Sequence, residues 1–281
     1  MTILVTGSRG RVARALIGLL HDRGHAVRAS SREAGDLGLP AGTEVVRCAL
    51  DDPSTFPAAL EGVSSVFLYA EPAHIDAFVE EAAQAGVQHV VLLSSVAALF
   101  PDAASHLIGR PHLLVEQALT EAPFTSTFLR PGSFATNTLG WAHSIKATGS
   151  VNLPHPAAHS DAVHEADLAE AALAVLTDSA LAGAAYELSG PESLTFEEQI
   201  DRLAHVTGRA ITVNVVSPEE WKQEVSAFMP APFADTLLDL WRRTEGVPLP
   251  VTGAAAVAKL TGHPARSFTT WAEDHAADFT A

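Results

Sequence analysis

The first fifteen residues constrain the fold more than any other stretch. An apolar run, Ile3-Leu4-Val5, meets Thr6-Gly7-Ser8-Arg9-Gly10-Arg11-Val12-Ala13, and a helical pattern follows at once. That order reads as strand, glycine turn, helix. Glycines let the backbone approach a diphosphate, and a helix N-terminus aims free N–H groups at it. The spacing is G-x-x-G-x-x-A, with Ala13 where a small residue lets the helix pack tightly on the strand. Gly7, Ser8, Arg9, Gly10, Arg11 and Val12 are the expected contacts of such a diphosphate.

Short β-rich runs then alternate with helical patterns, which predicts a parallel sheet with helices on both faces. Strands are expected at 3–5, 25–30, 44–48, 65–69, 89–94 and 126–129. Helices are expected at 11–23, after Asp52-Pro53, at 74–85 and at 109–120. The run 89–94 is almost wholly apolar, as a central parallel strand should be. After Arg130-Pro131-Gly132 the rhythm changes. Residues 134–147 read as helical, 149–156 as a loop or short strand, and 167–176 as an alanine-rich helix with Asp167 as its N-cap. Residues 184–188 suit one more strand of the sheet. Beyond position 191 the pattern is mainly helical, with one strand candidate at 211–216. The predicted class is α/β: a doubly wound parallel sheet with a smaller, mainly helical C-terminal substrate lobe. The nucleotide domain would span 1–133, with 157–190 returning to it, and the lobe 134–156 and 191–281.

A net charge of −16 argues against nucleic acid or an anionic membrane as the main partner. No apolar run reaches the roughly 18 residues that a membrane span needs. Cys48 is the only cysteine, so an intrachain disulfide is impossible and a reducing compartment is expected. The opening strand pattern lacks a signal-peptide layout. A cytoplasmic protein with a small-molecule substrate is expected, with homodimerisation open.

Five motifs appear in order: T-G-S-R-G-R-V-A at the start, L-D-D-P after the third strand, L-L-S-S at the fifth, F-L-R-P-G-S-F after the sixth, and Y-E-L-S-G-P-E near position 190. Together they resemble the NmrA-like branch of the atypical short-chain dehydrogenase/reductases, over essentially the whole chain. The resemblance implies a Rossmann domain with a small C-terminal lobe and NADP(H) as the usual ligand. Its members include quinone and enone reductases, lignan-type reductases, and redox sensors without demonstrated chemistry. It also implies that Leu50 and Asp51 flank the adenine, that Ala70 passes beneath the ribose with Tyr69 nearby, and that Pro131, Gly132, Ser133 and Phe134 pass the nicotinamide. Asn137, Trp141 and His155 are candidates for the substrate wall beyond. Where the family often has Gly-Asp after strand three, this chain has Cys48-Ala49, so that adenine contact is lost.

An NAD-preferring site carries an acid at the tip of strand two, about 20 residues beyond the glycines. Here the stretch reads Arg28-Ala29-Ser30-Ser31-Arg32. Ser31 and Arg32 offer a hydroxyl and a guanidinium that suit a 2′-phosphate, and Arg9 is within reach of the same group. NADP(H) is therefore expected over NAD(H).

Ordinary short-chain reductases carry Tyr and Lys four residues apart on one helical face. By position, those places fall on Ile108 and His112, and neither Tyr69 nor Tyr186, the chain's two tyrosines, occupies them. An imidazole with an ordinary pKa of about 6.5 can act as acid or base at neutral pH. Three roles are open to His112: general acid, ligand of the nicotinamide ribose, or helix-surface residue. Ser94, at the tip of strand five, is its plausible neighbour, whereas Glu116, one turn deeper, reads as structural.

His155, His159 and His164-Glu165 lie close together with Asp161 and Asp167, but their spacing matches no zinc pattern, and no metal is expected. The leading function is NADPH-dependent hydride transfer to a small conjugated carbonyl or quinone-like substrate. The alternatives are a non-catalytic NADP(H)-binding sensor and a cofactor-assisted isomerase or dehydratase.

Overall fold

The computed structural model describes residues 2–33, 35 and 37–280. Strands β1 (Thr2–Val5), β2 (Ala26–Ser31), β3 (Glu44–Arg47), β4 (Val63–Tyr69), β5 (His89–Leu93) and β6 (Thr125–Pro131) alternate with helices α1 (Arg11–Asp22), α2 (Phe56–Leu60), α3 (Ile75–Gln84) and α4 (Gly109–Thr120). There follow α5 (Ala142–Thr148), β7 (Ser150–Leu153), β8 (His159–Ser160), α6 (Glu165–Thr177), β9 (Ala185–Leu188), β10 (Leu194–Thr195) and α7 (Phe196–Thr207). The chain ends in β11 (Thr212–Val215), α8 (Pro218–Val225), α9 (Ala231–Thr244), α10 (Gly253–Thr261), α11 (Phe268–Asp274) and α12 (Ala276–Thr280).

Two compact units result. One holds the chain through Pro131, together with Glu165–Leu188 and Ala256–His263; the other holds Gly132–His164, Ser189–Ala255 and the remainder from Pro264. The return to the first unit is therefore shorter than 157–190, and the excursion at Ala256–His263 has no counterpart in the sequence reading. That short alanine-rich stretch looks the same in either unit.

The first unit is built on a seven-stranded sheet in the order β3-β2-β1-β4-β5-β6-β9. Every pairing in it is parallel. Alternation along each strand divides the apolar residues between two faces. Leu4, Val66, Leu68, Val90 and Leu92 meet Phe56, Leu60, Phe78, Val115 and Leu119 of α2, α3 and α4 in one core. Ile3, Val5, Phe67 and Val91 are also buried and point to the other face. Burying one such side chain fully is worth roughly 1.5–3 kcal/mol. α1 forms because Val12, Ala13, Leu16, Ile17 and Leu20 fall on one stripe. It stops where Gly24 takes φ +76°.

In the second unit β7 pairs with β11 in parallel and β8 with β10 antiparallel. Its core gathers Ile145, Leu153, Ile200, Leu203, Phe268, Trp271 and Phe279. The expected helix over 134–147 is split into a 3₁₀ turn, Ala135–Trp141, and then α5. Thr136, Asn137, Thr138 and Gly140 are poor helix formers, which explains the looser start. The pair β8–β10 has two residues a side and leaves no readable alternation. Asp167 is not the N-cap expected: α6 begins at Glu165, and Asp167 lies buried in its first turn.

Candidate active site

In a parallel sheet all the carboxyl ends share one edge, and ligands collect where the strand order reverses. Here that point lies between β1 and β4. Thr6 ties the two exits together, its hydroxyl donating to the Phe67 carbonyl at 3.0 Å and accepting from the Tyr69 amide at 3.1 Å. Gly7 then turns at φ +63°, and a Cβ there would stand 2.9 Å from the Tyr69 ring. The Gly10 amide donates to the Gly7 carbonyl at 2.8 Å, closing the turn. α1 starts with no side-chain cap and no acidic residue in its first turn. Its opening amides lack intrahelical partners by geometry, and the dipole there favours an anion. The cradle fits a diphosphate: Gly10 is exposed where α1 begins, and Arg9 and Arg11 stand exposed on either side of it.

Ser8 does not fit the ligand role assigned to it. It is fully buried, its hydroxyl donating to Val5 O at 2.9 Å and accepting from Ser30 N at 2.9 Å, while its own amide donates to Ser30 O. It staples β1 to β2. Val12 is buried against the sheet and can offer only its backbone.

At the tip of β2, Ser31 is buried and accepts from Arg9 Nε at 3.3 Å. Arg32 is exposed and pairs with Asp51 at 3.2 Å. Two guanidiniums and a hydroxyl thus cluster beside the glycine turn. Leu50 is in the core with Cys48 and Phe56, so its side chain faces away from this edge. Burial pushes the Cys48 thiol up to about 11, against the opposing hydrogen bond of Ser30. Tyr69 and Ala70 leave β4 half-buried. Burial, and then the charge of Glu71, raise the Tyr69 hydroxyl.

Ser94 also departs from the reading. It is buried, and its hydroxyl donates to Glu116 Oε1 at 2.5 Å, so it presents no free hydroxyl. Strand alternation sends Ser94 under α4, while the half-buried Ser95 accepts from the Ala97 amide at 3.1 Å. Glu116 is gripped as well by Arg130, at 2.9 Å through Nε and 2.5 Å through Nη2. That bond raises the Arg130 guanidinium further. His112 lies one turn before Glu116 on α4. Burial lowers its imidazole below 6.5, while the Glu116 charge pulls the other way. Its Nδ1 is buried with no partner among the described residues. Pro131 closes β6, buried.

In the second unit the Ser133 amide donates to Asp161 Oδ1 at 3.0 Å, and the Asp161 carboxylate lies against Gly132. Burial raises the Asp161 carboxyl. In the sequence Asp161 stands out only as a neighbour of the histidine run; no local pattern signals a contact made across 28 residues. Phe134 bridges to Val163, and Asn137 is exposed. Trp141 meets Phe196 edge-on at 5.7 Å, Phe196 meets Trp241 at 5.4 Å, and Trp241 meets Trp221 at 4.9 Å. His155 is held by Glu245 at 2.8 Å.

The histidine run does not converge. His155, His159 and His164 bond Glu245, Ser193 and Asp274 respectively. A different trio, Asp167, Glu170 and His263, brings its ligand atoms within 4.8 Å of one another in the first unit.

Comparison with known proteins gives this site its context. A model described as the NmrA-like family matches residues 1–251. A Streptomyces griseus protein named (4-alkanoyl-5-oxo-2,5-dihydrofuran-3-yl)methyl phosphate reductase is 37% identical over 286 residues, covering 99% of both chains. An NAD(P)H azoreductase of Xenophilus azovorans is 31% identical, again over 99% of both. The fold is shared with an NADPH-dependent quinone oxidoreductase of Escherichia coli solved with NADPH, at a TM-score of 0.80 and 23% identity, covering 97% of this chain and 99% of that one. It is shared equally with the triphenylmethane reductase of Citrobacter complexed with NADP(H), at 0.80 and 24%, covering 98% and 100%. With a whole-length fold and a family model spanning nine-tenths of the sequence, the chain belongs to the NmrA-like family.

Proposed function

We propose that this protein is an NADPH-dependent reductase that passes hydride to a small conjugated carbonyl or quinone-like acceptor. The observation that carries the reading is the uncapped start of α1 behind the Gly7–Gly10 turn, flanked by exposed arginines. The names of its relatives, reductases acting on an oxo-dihydrofuran phosphate and on azo compounds, support the reaction class. Bound NADPH supplies the hydride.

The chain's own residues hold and orient. The opening amides of α1 take the diphosphate. Arg9, Arg32 and Ser31 take the 2′-phosphate, Arg32 exchanging its Asp51 partner for it. Asp51, Tyr69 and Ala70 flank the adenosine, and Gly132, Ser133 and Phe134 the nicotinamide. His112 binds the nicotinamide ribose, with its imidazole as proton donor where the product needs one. Asn137, Trp141 and His155 line the substrate. Acceptors whose added charge is delocalised need little acid assistance, which fits a chain whose only tyrosines are Tyr69 and Tyr186. Tyr186 spends its hydroxyl on the Leu181 carbonyl.

That same tyrosine pattern favours one second reading, a sensor that binds the nucleotide without turnover. Titration with NADPH and NADH, followed by assay of nicotinamide absorbance against a quinone panel, separates the two. The reductase reading expects tighter NADPH binding and quinone-dependent oxidation. Binding without turnover on any acceptor favours the sensor, and no response to either nucleotide overturns both.

A further inference from the structure

His112 lies between two anchors on α4. One turn before it, Gly109 approaches the Ala97 carbonyl so closely that any side chain would overlap it. Ala97 belongs to the 3₁₀ turn that directly follows Ser94 and Ser95. One turn beyond it, Glu116 is 6% exposed and enters a closed cluster with Ser94 and Arg130. Residues of β6 and α4 and the residue that follows β5 therefore meet around one carboxylate. A buried ion pair adds little net stability over apolar packing of the same volume. What a bidentate fork adds is geometry, because two parallel N–H···O bonds fix both partners in angle as well as distance. The cluster sits at the carboxyl edge of the sheet, where ligands bind, rather than in the middle of the core. Beside it the His112 Nδ1 is buried without a partner among the described residues. A buried ring nitrogen in that condition calls for a hydrogen-bonding group from outside the protein.

We propose that Ser94, Glu116 and Arg130 are positioning residues that fix α4 against β5 and β6, so that His112 Nδ1 meets a hydroxyl of a ribose diol. This rests on the nucleotide reading given above, and it assigns Ser94 a role that excludes direct contact with substrate. The Ser94 proton is already given to Glu116, so a reduced substrate oxygen finds no donor there.

A double-mutant cycle tests it on the full chain, with the NADPH dissociation constant as readout. Ser94→Ala and Glu116→Gln are each made alone and together with His112→Ala. If the cluster works through His112, each weakens NADPH about tenfold in the parent and less than twofold once His112 is alanine. Tenfold corresponds to about 1.4 kcal/mol, within the range of coupling between residues in one network. Equal losses in both backgrounds overturn the proposal and leave a purely structural cluster. So does an unchanged affinity in the single variants. Ser94→Ala removes one hydroxyl and leaves the Arg130–Glu116 fork, so the test survives if Glu116→Gln fails to fold. A parent protein that does not bind NADPH fails the cofactor reading first, before any variant is compared.

Discussion

At Gly7 the backbone takes a conformation that L side chains rarely adopt, and the Tyr69 ring closes the space a Cβ would need. Gly7→Ala therefore meets two penalties. Left-handed strain costs about 1–3 kcal/mol, and the ring or the turn must also shift. We expect a lower melting temperature together with at least tenfold weaker NADPH binding, measured by thermal unfolding and by titration. A variant that melts early but binds normally would detach the turn from the ligand. This residue was legible in the sequence because glycine in a strand–helix turn has few other uses. Ser8 and Ser94 were not. Both are serines at strand tips, where a hydroxyl suits a ligand, yet both are buried and bonded inward. Which way a side chain points at a strand end depends on where the last regular residue falls, and local sequence does not fix that to one residue.

Among the elements, α7 shows how much of a helix boundary is written locally. Thr195 accepts from the Glu198 amide at 3.1 Å, and the Glu198 carboxylate accepts from the Thr195 amide at 2.7 Å. This is a reciprocal cap, readable as T-x-x-E. Those bonds hold the Glu198 carboxyl below its ordinary range. Thr195→Ala should destabilise the protein by about 1 kcal/mol, visible as a lower denaturation midpoint at unchanged slope. A neutral result would mean that tertiary packing alone holds α7. The helices and strands of the first unit follow their apolar periodicity closely, because each buries one broad face. The 3₁₀ stretch Ala135–Trp141 and the strands β8 and β10 escaped that logic. Their residues are tied by contacts distant in sequence, such as Thr138 to Gln199 and His159 to Thr195.

For the molecule as a whole, acid should act through two partly buried histidines. Burial lowers His89 and His112 below 6.5, so the native state binds fewer protons than the unfolded chain. Their contribution to stability is full above about pH 6.5 and is lost as pH falls through the depressed folded values. Falling pH also relieves the repulsion within a chain of net charge −16. The two effects oppose each other, and salt screens the second far more than the first. In about 0.3 M salt the melting temperature should fall from pH 7.5 to 5.5. The double variant His89→Asn, His112→Gln should flatten that slope, and an equal slope in the variant would reject the assignment.

The sequence alone determined the class of fold and the place of the glycine turn that leads into α1. Strand period, helix stripe and glycine turn are properties of neighbours along the chain, and each depends on steric rules that act within a few residues. The tertiary structure alone decided which polar side chains face the ligand edge and which are buried. It tied Ser94 to Glu116 and Arg130, Asp161 to the Ser133 amide, and Arg32 to Asp51. It also carried Ala256–His263 back to the first unit. These are outcomes of three-dimensional packing: a polar contact between residues 19 or 28 positions apart depends on how whole elements dock. No local pattern encodes that docking.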